Sequence, residues 1–375
     1  MFIDSFKQHF ESVADPRQSA KVTYPFFDIL FGSLCAVIAG AHGWFDIREY
    51  LLGHHKWFLE LGMFKAGIPA DDTIARTISA IKPEQFQACF LKWMAAVHTL
   101  TQGELIAIDG KTLRGSYNRE DRSSTIHMIS AYATANKLVL GQLKTDKKSN
   151  EITAIPELLQ LLDLQGALVS IDAMACQTKI AKTIIEQKGD YLLAVKGNQG
   201  NLSKAVQQAF SALRNDASSL EALQTEKQHG RIESRLCQVL DASTLEGNFS
   251  RWKGLKTLAM ITSFRTEKGK PVSMEYRYYI SSKIMSAEQV ASAVREHWAI
   301  ESMHWVLDVS MQEYACQIYK DHAAENLACL RHLALNMLRA EPTKLSIVGK
   351  QKRCWMKTEH LEKVLIAGLS VSLKN

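Results

Sequence analysis

The sequence has no Cys-x-x-Cys pair, although seven cysteines occur, at 35, 89, 176, 237, 316, 329 and 354. Their odd number and scattered positions exclude a disulfide framework, argue against structural zinc, and fit a reducing compartment. Long apolar runs are also missing. The longest uncharged stretch, Ile29 to Ala41, falls short of the roughly 20 residues of a membrane-spanning helix. The opening residues, Met1 to Gln8, show no basic segment leading into an apolar one, so no secretory signal is expected. There is no repeat and no low-complexity stretch. Nor is the charge extreme: net +6 with a pI near 8.8 is compatible with a nucleic-acid partner but does not announce one. The expected location is the cytoplasm, with no membrane partner.

What is present is enough chain for two or three compact units, 375 residues with 46% apolar and 22% charged. Residues 1–100 read as helical. Pro83 opens a segment with Phe86, Phe90, Trp93, Met94 and Val97 on one stripe, and Asp72-Thr73 reads as a helix start. From residue 104 the pattern turns to α/β. Ile106–Ile108, Ile126–Ala133 and Leu138–Lys144 read as three strands. Ile152–Leu162 reads as a helix, Leu168–Ile171 as a strand, Lys179–Gln187 as a helix and Tyr191–Val195 as a strand. That order is the order of a ribonuclease-H-like fold. Residues 101–200 would be its first part and 201–284 a β-rich insertion, with strands at Ile232–Leu240, Leu255–Phe264 and Met274–Ile280. Residues 285–340 would supply a helical second part, opened by a Ser286/Gln289 capping box. Residues 341–375 form a basic tail, read as a solvated face or a nucleic-acid contact.

Three acidic residues occupy telling frames. Asp109 ends the run Leu105-Ile-Ala-Ile-Asp109, and Asp172 ends Ala167-Leu-Val-Ser-Ile-Asp172. Glu301 lies in a helical stretch. Eleven residues at about 100° each return it to within about 20° of Val290, on what reads as a core-facing stripe. A glutamate there is costly unless paired or metal-bound. Asp308, seven residues on, is the alternative third carboxylate. Taken singly, each aspartate is equally a turn or cap residue. Together, two strand-end aspartates and a helix-borne glutamate suit two Mg²⁺ ions, with Mn²⁺ able to substitute. Such ions are hard, take few protein carboxylates, and clamp the attacking and leaving oxygens of a phosphoryl transfer.

Longer motifs then identify a resemblance. Ala107-Ile-Asp-Gly-Lys-Thr-Leu-Arg-Gly115, Lys148-Ser-Asn-Glu-Ile-Thr-Ala-Ile-Pro-Glu-Leu158, Ile171-Asp-Ala-Met-Ala-Cys-Gln177 and Val195-Lys-Gly-Asn-Gln199 resemble one family. So do His229-Gly-Arg-Ile-Glu233, Arg277-Tyr-Tyr-Ile-Ser-Ser282 and Glu325–Asn336, with Asp15-Pro-Arg17 and Ile68–Thr73 nearer the start. The chain resembles, almost end to end, the H-repeat-associated (ISAs-type) DDE transposases of bacterial insertion sequences. The resemblance implies a catalytic triad of Asp109, Asp172 and Glu301. It also implies DNA as partner (element ends and target), with residues 1–100 at the element end. A homodimer or higher oligomer on DNA is implied too, associated with the nucleoid when bound. Against the family pattern, His297–Trp305 is one residue short, which turns the downstream residues by about 100° or demands a local bulge. Tyr314, Gln317 and Tyr319 stand where the family carries other residues.

The remaining polar residues carry two readings each. Lys111 and Arg114, beside the first aspartate, either hold phosphate or are exposed loop charges. Lys196, Asn198 and Gln199 follow the last core strand at the expected catalytic edge and lean towards DNA contact. His229 and Arg231 resemble a family motif and are placed near the cleaved DNA end. Trp252 suits core packing better than base stacking, and His297 and His304 suit buried helix positions better than metal ligation. The expected activity is metal-dependent cleavage followed by strand transfer, without a covalent protein–DNA intermediate. The alternatives are a catalytically impaired DNA-binding remnant acting as a regulator, and a nuclease that cuts without joining.

Overall fold

Near-continuous apolar runs, too short for core helices, become the centre of a nine-stranded mixed sheet. The computed structural model describes residues 2–369 apart from 19, 21, 98–101, 119, 122, 123, 146–150, 214–219, 229, 230 and 268–270. In chain order, six helices come first: α1 (Phe2–Phe10), α2 (Phe26–Ala39), α3 (Trp44–Gly53), α4 (His55–Glu60), α5 (Asp71–Ser79) and α6 (Pro83–Val97). Then follow β1 (Leu105–Thr112), β2 (His127–Ala133), β3 (Leu138–Thr145), α7 (Glu151–Gln160), β4 (Leu168–Ile171), α8 (Thr178–Glu186) and β5 (Asp190–Val195). After α9 (Gly200–Leu213) come β6 (Leu220–Gln228), β7 (Arg231–Asp241), β8 (Thr257–Glu267) and β9 (Ser273–Ser281). The chain closes with α10 (Ala287–His297), α11 (Ala299–Trp305), α12 (Ala323–Ala340), α13 (Ile347–Met356) and α14 (Thr358–Leu369). No single helix among the described residues is long and apolar enough to cross a membrane.

The strand order is β3-β2-β1-β4-β5-β9-β8-β7-β6. β1 pairs antiparallel with β2 and parallel with β4, and β4 is parallel to β5. Ile108 pairs with Ile171, so Asp109 and Asp172 each follow the last residue paired between two neighbouring parallel strands. This register brings two aspartates 63 positions apart in sequence to one edge.

The β-rich segment corrects an expectation. It is antiparallel and meandering, but it is no separate unit. β9 pairs with β5 (Val195 with Tyr278), so β6–β9 extend the core sheet instead of flanking it. The physical reason is the open edge of β5, whose backbone groups need partners once buried. Strand β6 is also illegible in the sequence, where its polar, alternating composition resembles a loop.

The N-terminal helices and the C-terminal tail are likewise parts of one core. α2 is buried on nearly every side (Ile29, Phe31, Leu34 and Ile38 are inaccessible), and it packs on α12, whose residues Leu327 to Leu338 are buried throughout. α13 and α14 seal this core from the other side, so residues 341–369 are two packed helices, not a solvated tail. Lys350 shows why its charge is not available outside. It is 5% exposed, and its ammonium donates to the carbonyls of Leu338 and Glu341 at the end of α12 and pairs with the Glu341 carboxylate.

Candidate active site

Side chains alternate along β1, so Asp109 and Lys111 share one face while Gly110 points to the other. Against the first face lies the segment that follows α10. The helix does not run on: α10 ends at His297, Trp298 serves as the junction, and α11 begins at Ala299. The break corrects the stripe argument. Because the helical phase is interrupted, Glu301 is exposed, and Ile300, Met303 and His304 are the buried residues of α11. Past Trp305 the coil widens to a π turn over Val306–Ser310. π turns commonly accompany functional sites, and one follows the stretch where the sequence lacks a residue relative to the family pattern.

Glu301, His304 and Asp308 recur at helical spacing, and the last two face β1. His304 Nδ1 lies 3.6 Å from Asp109 Oδ2, and Asp308 Oδ1 lies 2.8 Å from Lys111 Nζ. Lys111 Nζ also donates to Glu313, which is 3% exposed and faces Arg331 at 3.7 Å. Burial would raise the Glu313 carboxyl, yet Lys111 and Arg331 hold it below the usual range. The Lys111 ammonium is thus turned inward onto two carboxylates, which corrects its reading as a phosphate contact. Asp308, engaged by Lys111, is not free to act as the third carboxylate.

Asp109 behaves differently. Burial, together with the nearby charges of Asp172, Glu301 and Glu151, pushes its carboxyl up to about 7, against one opposing backbone hydrogen bond at Gly110. Asp172 is exposed and caps the short 3₁₀ turn Ala173–Ala175, accepting from Met174 N at 3.1 Å. Asp109, Asp172 and Glu301 are therefore within electrostatic reach of one another. Among the described residues no lysine or arginine pairs with any of the three. Nor do any three His, Cys, Asp or Glu side chains among them stand close enough to cage an ion by themselves. The edge is an open, negatively charged cluster. It suits a hard cation that takes few carboxylates and completes its shell with water and phosphate oxygens.

The imidazoles beside the aspartates are neutral. Burial, reinforced by Lys111, lowers His304 to about 3; burial also lowers His297, which lies near Asp172. On the opposite face of β1, His127 pairs with the buried Glu151 at the start of α7, directly against Gly110. Nothing local in the sequence selects His304, Glu313, His127 or Glu151 for this site. The i, i+3 spacing of Glu301 and His304 is the one available signal.

The other candidates divide. Arg114 is exposed, its guanidinium 5.6 Å from the Tyr314 ring centre. Lys196 is exposed at the end of β5. Asn198 donates to Ala173 O at 2.7 Å and Gln199 to Gln177 Oε1 at 3.3 Å, so both brace the loop that carries Asp172. They also line a cleft of about 450 Å³ with Trp252, whose ring is otherwise buried in the core. His229 lies outside the described residues, and for Arg231 only the backbone, at the start of β7, is described.

Comparison with known proteins completes the picture. Residues 100–337 match the family described as "Transposase DDE domain", and residues 7–94 match "DDE_Tnp_1-associated". The chain is 45% identical to the H repeat-associated putative transposase YhhI of Escherichia coli K12, over 99% of this chain and all of that one. It is 46% identical to the putative transposase YncI of Escherichia coli O157:H7, over 97% of this chain and 95% of that one. Among solved structures, the piggyBac transposase synaptic complex with hairpin DNA aligns with a TM-score of 0.45 at 12% identity, over all of this chain and 83% of that one.

Proposed function

The chain belongs to the family of transposases built on the DDE domain, and we propose that it cuts DNA at the ends of a mobile element and joins the freed 3′ end to target DNA. The catalytic residues in this reading are Asp109, Asp172 and Glu301, set on a ribonuclease-H-like core formed by β1–β5. The observation that carries it is the cluster of three carboxylates without a cationic side-chain partner, at the carboxyl edge of two parallel strands. Such a cluster is stable in its charged form only when a cation joins it. Bound there, two Mg²⁺ or Mn²⁺ ions supply Lewis-acid stabilisation of the attacking and leaving oxygens.

The chain's own contributions are positional. β1 and β4 fix Asp109 and Asp172 by their register, and α11 brings Glu301 to the same edge. His304, held neutral by burial, covers one Asp109 oxygen without competing for its charge. Lys111 ties the segment after α11 to β1 and so fixes the approach of the glutamate-bearing helix. DNA would arrive along Lys196 and Arg114, the exposed cations flanking the edge.

The test is Asp109→Asn, nearly isosteric but neutral. Cleavage of the element's own end in Mg²⁺ or Mn²⁺ should be abolished. DNA binding, dominated by Lys and Arg contacts to phosphate, should persist with its salt dependence. Equal cleavage by wild type and variant would remove the triad assignment. Salt-dependent binding without cleavage by either protein would make this chain a DNA-binding remnant, and cleavage without joining would make it a nuclease.

A further inference from the structure

β5 ends at Val195, which pairs with Tyr278, and β9 runs antiparallel to it. The residues of β9 before Tyr278 therefore project past the carboxyl end of β5, on the side where Asp172 follows β4. β8 and β7 project with them: Arg277 pairs with Ile261, Glu275 with Ser263, and Ser263 with Arg235. On one face of this overhang the alternating residues gather four arginines, Arg235, Arg265 and Arg277 from the strands and Arg295 from the last turn of α10. They line a pocket of about 270 Å³ closed on one side by Trp298.

The arginines are held in place. Arg235 pairs with Glu233 at 3.0 Å, Arg295 with Glu226 at 2.7 Å, and Arg277 with Glu275 at 3.0 Å, while Arg265 faces Glu233 at 3.8 Å. Four guanidiniums against three carboxylates leave positive charge and unused N–H donors, since each guanidinium offers five. Arg265 and Arg295 remain 45% and 46% exposed at the side chain, so their donors are accessible. Trp298 is 42% exposed, and the Arg277 guanidinium lies over its ring at 5.3 Å. Its position is as informative as its chemistry. Trp298 is the junction between α10 and α11, one helical turn before Glu301. Lys196, at the end of β5, lies within electrostatic reach of Glu275 and continues the positive charge towards Asp172.

We propose that this pocket seats one nucleotide of the DNA strand that passes the carboxylate edge, its base laid on Trp298 and its phosphate held by Arg265 and Arg295. The seat rests on the DNA-processing reading of the carboxylate cluster. An aromatic platform beside guanidiniums matches a ligand that carries both a flat ring and a phosphate. An acidic peptide would satisfy the arginines but leave the indole without a partner. Because Trp298 and Glu301 sit on one continuous turn, seating the nucleotide also fixes the distance from that base to the catalytic edge.

The test uses the full-length protein with Ca²⁺ and a mixed-sequence single-stranded oligonucleotide carrying 2-aminopurine, whose fluorescence falls on stacking. Wild type and Asp109→Asn should both quench it. Trp298→Leu should abolish the quench and weaken binding about tenfold, in line with base–aromatic stacking. Arg265→Gln, at an exposed strand end where folding is not at stake, should lower the slope of log affinity against log salt by about 0.7. Quenching by Trp298→Leu equal to wild type, or an unchanged slope for Arg265→Gln, would overturn the seat. So would release of the oligonucleotide by poly-glutamate from wild type but not from Arg265→Gln, which would mark an acidic-peptide site. The two readings fail separately: cleavage of a cognate end by both variants with unaltered binding removes the seat alone. Loss of quenching in the variants of a wild type that never cleaves removes the catalytic reading alone.

Discussion

Lys111 Nζ lies 2.8 Å from Asp308 Oδ1 and 2.5 Å from Glu313 Oε2, so one ammonium two residues beyond Asp109 ties β1 to the chain that leaves the Glu301 helix. Lys111 is 10% exposed at its side chain and Glu313 2%, which places this pair where charges are costly to separate. Lys111→Met should therefore leave two carboxylates unpaired and lower unfolding stability by about 3–5 kcal/mol, the range for breaking a buried ion pair from one side. Adding Glu313→Gln should recover part of that loss. Urea unfolding of the three proteins checks it, and a Lys111→Met variant as stable as wild type would remove the tie.

Gly110 stands between the two halves of the site. A Cβ at this position would run into His127 Nε2 and the Glu151 carboxylate, which pair with each other against the strand. Gly110→Ala should push that pair apart or bow β1, at about 1–3 kcal/mol, the usual range for overpacking a filled core. Because Asp109 is the preceding residue, cleavage should drop more than stability accounts for. Measuring both on one preparation decides it: a fall in activity matched by the unfolded fraction alone would mean that strand geometry is untouched.

The capping box at α10 is a smaller test. Ser286 Oγ accepts from Gln289 N and the Gln289 side chain accepts from Ser286 N, in agreement with the sequence spacing. Ser286→Ala should cost about 1 kcal/mol, measured as a shift in the denaturation midpoint at constant slope. No shift would mean that packing of Val290 and Val294 holds the helix start without its cap.

Strands β1 to β5 are legible in the sequence because their apolar runs are short, bounded and in a fixed order, and the register of β1 with β4 follows from that order. α6 is legible from its stripe, with Phe86, Phe90, Trp93 and Met94 buried as expected. Glu301 stands out by its motif, while the periodicity argument for it fails, because the break at Trp298 resets the helical phase. Long-range pairing is the least legible. Nothing local in Lys111 distinguishes a phosphate contact from an inward ion pair, since Glu313 lies 202 positions away. The joining of β9 to β5 depends on which edge is open, a property of the assembled sheet and not of either strand.

His332 yields the last prediction, one of pH. It is buried in α12 with neither ring nitrogen hydrogen-bonded, and burial is the main cause lowering it to about 4, with Lys111 and Arg331 adding to the shift against Glu313. In the unfolded chain the same imidazole takes up a proton near its ordinary value of about 6.5. A group whose folded pKa is depressed gives stability that is intact above the unfolded value and is lost as the pH falls below it. The window here runs from about 6.5 down to about 4. Over it the unfolded state binds a proton that the folded state refuses, so unfolding should become progressively easier. His332→Leu removes that proton uptake and also removes two polar atoms that lack partners. It should leave stability at about pH 7.5 unchanged or slightly higher and flatten the decline between about pH 6.5 and about pH 5. His304, lowered to about 3 by burial, will maintain a residual slope of the same sign. Denaturation midpoints at four or five pH values for wild type and variant suffice. Parallel curves would show that His332 takes its proton in the folded protein as readily as outside it.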